Sequence, residues 1–223
     1  TRPGQVKIAD LDGNGFIDPG NFAVDDHGDL RIIGNQSPRY RYGVNLSARW
    51  NGIGLSVFLQ GVGARDWYPG SDAGMFWGKY GRPFFALIPS IHNYTDDMYS
   101  AERNNWDTAY WPRMTTYQSN GTKNWTRLLE IPNTRYIQSA AYLRVKNIQL
   151  DYSFPKHICS AIRLQGLKIY VNAENLFAFT PLHKYAPNFD PEGLSYDSDF
   201  ASAADGYTYP ILKSVTVGVN ITF

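Results

Sequence analysis

The 223-residue chain carries 21 basic and 20 acidic side chains, and its net charge of +1 excludes a strongly basic nucleic-acid-binding protein. Aromatic residues make up 15% of the sequence, which is too many for a disordered chain. The single cysteine, Cys159, excludes an internal disulfide and a cysteine-based zinc site. No uncharged apolar run reaches the ~18 residues of a membrane-spanning helix.

An acidic turn is the first feature along the chain, and its spacing matches that of a calcium-binding loop. Carboxylates at alternate positions of a tight glycine turn converge on one point, and calcium takes roughly six to eight oxygen ligands. The flanks, Pro3-Gly4 and Pro19-Gly20, are not helical, and Asn21 stands where a glutamate ligand is expected, so this is not an EF-hand. A solvated turn without metal, or one that holds sodium or magnesium, is the alternative. The expected oxygen ligands are Asp10, Asp12, Asn14, Asp18 and the backbone carbonyl of Phe16.

Two segments with period-two alternation follow, at about residues 40–50 and 53–63. Every even position from Tyr40 to Trp50 is apolar, and the odd positions are polar or glycine, which predicts a strand with one face of each kind. Asn51-Gly52 separates the two segments and is a strong signal for a β-hairpin. The polar face would line the lumen if these strands belong to a barrel. The side chains expected on it are Arg41, Asn45, Ser47, Arg49, Ser56 and Gln60.

Three further strands are predicted at about residues 142–154, 167–176 and 211–223. In the first of these, the alternation slips between Val145 and Ile148, which predicts a β-bulge. The five strands leave two long loops, at about residues 64–141 and 178–210.

The first long loop is rich in aromatic residues. Flat rings suit the stacking of sugars, and they equally suit the packing of long loops against each other or against a protein lid. No spacing in the sequence fixes a catalytic pair of carboxylates, and no nucleophile or phosphate-binding motif is present, so we expect no enzymatic activity. The candidate substrate-binding residues are Trp67, Trp77, Trp106 and Trp111.

The strand and loop lengths favour an outer-membrane barrel over a secreted, calcium-stabilised β-sandwich that binds or hydrolyses glycans. The strands suit a tilted crossing of ~9–11 residues, whereas strands of soluble proteins average ~5–6. Long and short connections alternate strictly, as they do between the outside and the periplasm in such barrels. Five strands cannot close a barrel. We therefore expect the C-terminal piece of a longer barrel, with residues 1–39 as an extracellular loop and residues 40–223 carrying its last five strands.

Four stretches of the sequence carry a family likeness, and their order along the chain adds to its specificity. They are Asp10 to Asp18, then Arg31 to Asn35 with Tyr42 to Ser47, then Arg135 to Gln138 with Tyr142 to Ile148, and last Val171 to Phe177 with the ending Gly218 to Phe223. In this set the chain resembles the C-terminal part of SusC/RagA-type TonB-dependent outer-membrane transporters of Bacteroidetes. The loop around residues 64–134 matches least.

The resemblance implies an all-β fold, namely the C-terminal strands of a large antiparallel transmembrane β-barrel of about 22 strands with long extracellular loops. It implies uptake of oligosaccharides or oligopeptides across the bacterial outer membrane, energised by the TonB complex through a plug and a TonB box outside this chain. A SusD-like surface lipoprotein is the implied partner, and the transporter–lipoprotein pairs are expected to dimerise.

The resemblance also adds one ligand to the acidic turn. In these transporters an acidic residue shortly follows the calcium-type loop, just before an Ile-Ile-Gly turn. The equivalent here is Asp29, after an apparent insertion, although Asp25 or Asp26 could take its place.

Overall fold

The computed structural model of the chain describes residues 3–4, 6–68, 99–112, 132–187, 189–194 and 211–223. The chain divides into two compact units, which we call the loop unit and the sheet unit. The loop unit comprises Thr1–Ser37, Asp66–Ser139 and Leu182–Tyr209, and the sheet unit comprises Pro38–Arg65, Ala140–Pro181 and Pro210–Phe223.

Antiparallel β-structure dominates the described residues. In chain order the strands are β1 (Arg39–Trp50), β2 (Ile53–Ala64), β3 (Asp66–Trp67), β4 (Gln138–Ser139), β5 (Tyr142–Ser153), β6 (Gly166–Phe179) and β7 (Ser214–Thr222), with a helix α1 (Lys156–Ala161) and a 3₁₀ helix (Pro181–Lys184). The five long strands form one sheet in the order β1-β2-β5-β6-β7, and β3 pairs with β4 in the loop unit. Neither helix has the length and apolar character needed to span a bilayer.

All five long strands expected from the alternation are present. The bounds of β1, β2 and β5 agree with the sequence to within one residue, whereas β6 continues to Phe179 and β7 begins only at Ser214. The sequence does not predict β3, β4 or α1, because two-residue strands and a helix of under two turns leave no readable periodicity.

The hairpin between β1 and β2 follows directly from its two turn residues. Trp50 pairs with Ile53, which leaves Asn51 and Gly52 as a two-residue loop. Their φ angles are 46° and 86°, the left-handed conformation that a type I′ turn requires at both central positions. Asparagine and glycine adopt this conformation most easily, so the turn fixes the register of the pair.

The β-bulge expected in β5 is confirmed. Phe58 of β2 pairs with Asn147 and the next residue, Leu59, pairs with Val145, so that Lys146 is an extra residue. The pairing of β5 with β6 shifts at the same place. Because side chains alternate along a strand, the extra residue brings Val145 and Ile148 to the same face in spite of their odd separation.

One face of the sheet is apolar and open. Directly paired residues lie on the same face, so the register defines rows of side chains across the strands. Val217 in one such row is 72% exposed, and Val44, Leu46 and Val219 of the neighbouring rows are exposed as well. A soluble β-sandwich would bury these side chains against a second sheet. The row that holds Val217 consists of Ala48, Leu55, Leu150, Val171 and Val217.

Aromatic side chains lie at both borders of the apolar face, near the two ends of the strands. At the hairpin end Trp50 is largely exposed, and the rings of Tyr152 and Phe154 meet edge to face with centroids 5.0 Å apart. At the opposite end Phe177 and Phe179 stack with centroids 6.4 Å apart. Amphipathic and aromatic rings at both borders of an apolar band are typical of the two interfaces of a membrane.

The opposite face is polar. All six residues expected on the polar side share it by register, since Ser47 pairs with Ser56, Gly43 pairs with Gln60, and the other positions follow the same alternation. The row that includes Ser47 crosses the whole sheet with hydroxyl and amide side chains. It consists of Ser47, Ser56, Gln149, Asn172 and Thr216.

An ion cluster on the polar face ties three strands together. Asp151 of β5 is only 6% exposed, and its carboxylate lies 3.4 Å from Nη2 of Arg49 on β1 and 3.3 Å from Nζ of Lys168 on β6. Gly54 stands opposite Asp151, and a Cβ there would lie 2.8 Å from both carboxylate oxygens. Glycine on β2 therefore leaves the space through which Arg49 reaches across one strand to Asp151.

Gly61 of β2 provides a test of how closely the strands pack. An alanine Cβ at this position would lie 2.4 Å from the carbonyl oxygen of Tyr142 and 2.5 Å from the hydroxyl of Tyr42, which donates a hydrogen bond to that carbonyl. We expect Gly61→Ala to lower the free energy of unfolding by about 1–3 kcal/mol, because the backbone must shift. Urea unfolding in detergent micelles measures the change. The matched control is Gly166→Ala, whose Cβ meets Thr222 at an ordinary 3.6 Å and should cost less than about 0.5 kcal/mol. Equal stability of the two variants would contradict the close packing.

Candidate metal site and aromatic cluster

The acidic turn of the loop unit folds around the carboxylate of Asp10. Its Oδ1 accepts a hydrogen bond from the Gly13 amide at 2.7 Å, and its Oδ2 accepts one from the Gly15 amide at 2.9 Å. Both glycines have φ near 80°, which only glycine adopts without strain. These hydrogen bonds, the one from Gly15 above all, hold the pKa of Asp10 below its usual value.

Asp12 and Asn14 continue the turn by the same kind of local bonding. The amide of Asn14 donates to Oδ1 of Asp12 at 3.0 Å, and its side-chain Nδ2 donates to Oδ2 at 2.9 Å. The side-chain oxygen of Asn14 accepts from the Phe16 amide at 2.7 Å. Asp12 and Asn14 therefore hold a tight loop without any contribution from regular secondary structure.

Asp29 closes the turn from a distance along the chain. Its carboxylate accepts hydrogen bonds from the backbone amides of Leu11 and Asp18, and its own amide donates to the carbonyl of Asp18 at 2.9 Å. The side chain is only 8% exposed. Each oxygen of this buried carboxylate accepts one backbone N–H, so Asp29 joins the two ends of the loop.

Three of the predicted metal ligands come together. Carboxylate oxygens of Asp10, Asp12 and Asp29 lie within 4.8 Å of one another. The carboxylate of Asp18 is outside this group, and its Oδ1 accepts from the Gly20 amide at 2.9 Å. Asp26 hydrogen-bonds to the side chain of Asn21. Each carboxylate oxygen that accepts one hydrogen bond retains a lone pair for a cation, so the donor set fits a hard divalent ion.

The four candidate tryptophans have different environments. Trp67 and Trp111 are only 2% and 1% exposed, whereas Trp106 is 66% exposed. Trp77 lies outside the described residues. Of the three candidates that the structure describes, Trp106 is therefore the one accessible to a ligand from solvent, and burial gives Trp67 and Trp111 a packing role.

A buried aromatic cluster organises the loop unit. The ring of Tyr110 stacks on Tyr185 with centroids 3.9 Å apart and meets Tyr136 edge to face at 5.5 Å. Trp111 stacks on Tyr136 at 6.1 Å. Arg135 places its guanidinium 5.9 Å from the Tyr110 and Tyr136 rings and donates to the carbonyls of Ala109 and Tyr110.

Burial raises the pKa of Tyr68, Tyr110 and Tyr136, so their hydroxyls stay neutral over the physiological range. The hydroxyl of Tyr136 donates to the carbonyl of Tyr110 at 3.1 Å. The side-chain amides of Asn133 and Gln138 donate to the hydroxyls of Tyr68 and Tyr110 at 2.8 Å each. The hydroxyls of Tyr68, Tyr110 and Tyr136 are therefore each hydrogen-bonded within the loop unit.

A cavity of about 910 Å³ opens beside this cluster within the loop unit. Its walls come from residues 3–11, 29–33, 99–112 and 132–136. The sequence does not predict it, because it depends on segments far apart in the chain. Residues of two stretches that carry the family likeness, 31–35 and 135–138, are among those that line it.

The antiparallel sheet, with one apolar and one polar face, matches part of the fold of TonB-dependent receptors. The chain matches two solved structures of a peptide transporter: the RagAB peptide importer in its "closed-closed" state, with 20% identity over 99% of the chain and a TM-score of 0.52, and the RagAB peptide transporter, with 19% identity over 94% and a TM-score of 0.55. In each case the match covers 20% of the solved chain.

Curated sequences give the same result. The chain is 26% identical over 99% of its length to TonB-dependent receptor P3 of Formosa agariphila, and 22% identical over 99% to receptor P26 of the same organism. It spans about a fifth of the length of these relatives, 19% and 20% respectively. No family model matches the chain. The resemblance to TonB-dependent transporters that the sequence motifs indicated is confirmed.

The bridging role of Asp29 is testable without a metal. In the presence of a chelator, we expect Asp29→Ala to accelerate hydrogen exchange at the Leu11 and Asp18 amides at least about fivefold, because both lose their acceptor. Asp25→Ala, which removes an exposed carboxylate of the same loop, should leave both rates unchanged. Hydrogen exchange resolved by mass spectrometry measures the effect, and equal rates in the two variants would show that Asp29 does not hold the loop.

Proposed function

We propose that the chain is part of a TonB-dependent outer-membrane importer for oligosaccharides or oligopeptides. The observation that carries this proposal is the apolar face of the sheet, which is open where a soluble protein would have a core. The likeness to TonB-dependent receptors over nearly the whole chain supports it. The role of the chain is transport rather than catalysis.

In this proposal one face of the sheet contacts lipid and the other contacts water. The apolar rows that include Leu46 and Val217 face lipid. The aromatic side chains near the two ends of the strands lie at the two membrane interfaces. The polar face lines a wet lumen. Asp151 with its two cations belongs to the lumen wall, where charges remain hydrated or paired.

Transport requires parts beyond the described residues. We infer that the loop unit faces the outside of the cell and meets a SusD-like lipoprotein, as the similarity to RagAB supports. Cargo binds at the outer mouth, the TonB complex then rearranges a plug, and the cargo is released inward. Pairs of transporter and lipoprotein assemble as dimers. The sheet supplies a rigid wall during these steps, because its strands are joined by backbone hydrogen bonds.

We further propose that the acidic turn binds calcium as a structural ion. Asp10, Asp12 and Asp29 supply three carboxylates, and the Asn14 side chain, the Phe16 carbonyl and Asp18 are the remaining candidates from the loop pattern. A divalent cation would offset the mutual repulsion of the three carboxylates and would stiffen the segment from residue 10 to residue 29.

The lipid-facing assignment yields a paired test of the importer. A strain without the gene is complemented with the wild type, Val217→Arg or Thr216→Arg. Arginine at a lipid-facing position in the middle of a strand costs about 2–4 kcal/mol, whereas the neighbouring position on the polar face tolerates it. We expect Val217→Arg to lose most of the protein from the outer membrane and most uptake of the cargo oligomer, and Thr216→Arg to retain both.

Fractionation, immunoblotting and uptake of labelled oligosaccharides and oligopeptides are the measurements. If Val217→Arg accumulated normally while Thr216→Arg did not, the two faces would be assigned the wrong way round. Unchanged uptake after deletion of the gene would reject the importer itself.

Calcium binding is tested by titration calorimetry of the chelator-treated protein. We expect one calcium ion per chain and an affinity at least about tenfold lower in Asp12→Asn, because the affinity of such loops depends on the number of charged ligands. Asp107→Asn, an exposed carboxylate outside the turn, is the control. Parallel titrations with magnesium and sodium identify the preferred ion. A turn that binds none of the three would be a solvated loop.

A further inference from the structure

The cavity of the loop unit has the size of a small-ligand site. Its volume of about 910 Å³ lies within the ~300–1,000 Å³ common for pockets that enclose small molecules. The described residues that line it all belong to the loop unit, and none of them lies on the apolar face of the sheet. A role in ligand binding therefore does not compete with contact with lipid.

Aromatic residues line the cavity, and one of them is open to solvent. Trp106 lines the cavity and is 66% exposed, so its indole is accessible to a ligand. Trp111 and Tyr136 also line it but are almost fully buried. The exposed indole of Trp106 suits a ligand with a flat, partly apolar ring face, as a sugar ring has.

The charges of the described residues that line the cavity are predominantly positive. Lys7, Arg31 and Arg135 are among these residues, and Asp29 is the one acidic residue among them. Asp29 is already bonded to two backbone amides, and Arg135 is bonded to carbonyls of the aromatic cluster. Lys7 and Arg31 are exposed, which leaves two cations available to an incoming anion.

We propose that this cavity is a binding site for an acidic oligosaccharide, whose ring stacks on Trp106 and whose carboxylate pairs with Arg31 and Lys7. The proposal rests on the proposed importer, and it narrows the cargo class. A guanidinium can bind a carboxylate through two parallel hydrogen bonds, and the lysine adds a mobile positive charge. A neutral oligosaccharide of the same length would leave both cations without a partner.

A peptide fits the same walls less well. Extended peptides are commonly bound by addition to an exposed strand edge. The described segments that line the cavity contain no strand, apart from a single bridge residue at Trp111. Ring stacking and carboxylate pairing are therefore the main interactions that this cavity offers.

Titration calorimetry on the complete protein, purified in detergent, tests the site at fixed free calcium. The probes are a uronic acid tetrasaccharide, a neutral glucose tetrasaccharide and tetraglutamate. We expect the uronic acid probe to bind most tightly. Trp106→Ala should weaken it about tenfold and Trp106→Phe less than about threefold, because phenylalanine keeps a ring.

Substitution of Arg31 and Lys7 tests whether these two cations bind the carboxylate. Arg31→Ala and Lys7→Ala should each weaken the uronic acid probe about three- to tenfold and reduce the dependence of its affinity on salt. Lys156→Ala, a cation of α1 in the sheet unit, is the matched control and should leave binding unchanged.

Two results would overturn the site: equal binding of the neutral and acidic tetrasaccharides, or full affinity in both Trp106→Ala and Arg31→Ala. Tighter binding of tetraglutamate would assign the cavity to an acidic peptide instead. These outcomes leave the importer intact, since its own test is uptake after gene deletion. If deletion of the gene abolishes uptake but the cavity binds none of the three probes, the proposed binding site is rejected and the importer is not.

Discussion

The pleat of the β-strand is the constraint on which the rest of the structure depends. It sends successive side chains to opposite faces, so a strand of alternating character must separate water from an apolar medium. The pairing of five such strands in register extends this separation into rows such as the one from Ala48 to Val217. The backbone polar groups of the inner strands are satisfied within the sheet, which a lipid environment demands. In the proposed importer, the apolar surface that remains open is the surface that meets lipid.

The sheet was predictable from the sequence because its signals are local. Alternation, the Asn51-Gly52 turn and the phase slip at Lys146 each involve neighbouring residues, and each gave the position of a strand, a turn or a bulge. Less local features could not be read in this way. The ion cluster at Asp151 depends on a gap left by Gly54 on a different strand, and the cavity of the loop unit depends on four distant segments.

The acidic turn was only partly predictable from local sequence signals. The sequence indicated Asp10 and Asp12 from their spacing alone, and a family likeness was needed to add Asp29, since an insertion hides its relation to the loop. The structure explains why that residue matters, because Asp29 binds amides at both ends of the turn. Spacing within the loop did not distinguish Asp18, whose carboxylate accepts from Gly20 and lies apart from the other three. The aromatic residues were harder still, because a tryptophan in a loop carries no sign of its burial.

The order of the strands has a consequence for how the sheet is assembled. β1 and β2 are joined by two residues and can pair without the rest of the chain, as can β5 and β6 across the short α1 connection. The contact between β2 and β5 is different, because residues 65–141 intervene, and the entropy of closing so long a loop opposes their meeting. Two preformed hairpins would then join at a late, slow step, and the edge of β2 would be exposed to wrong partners until that step is complete.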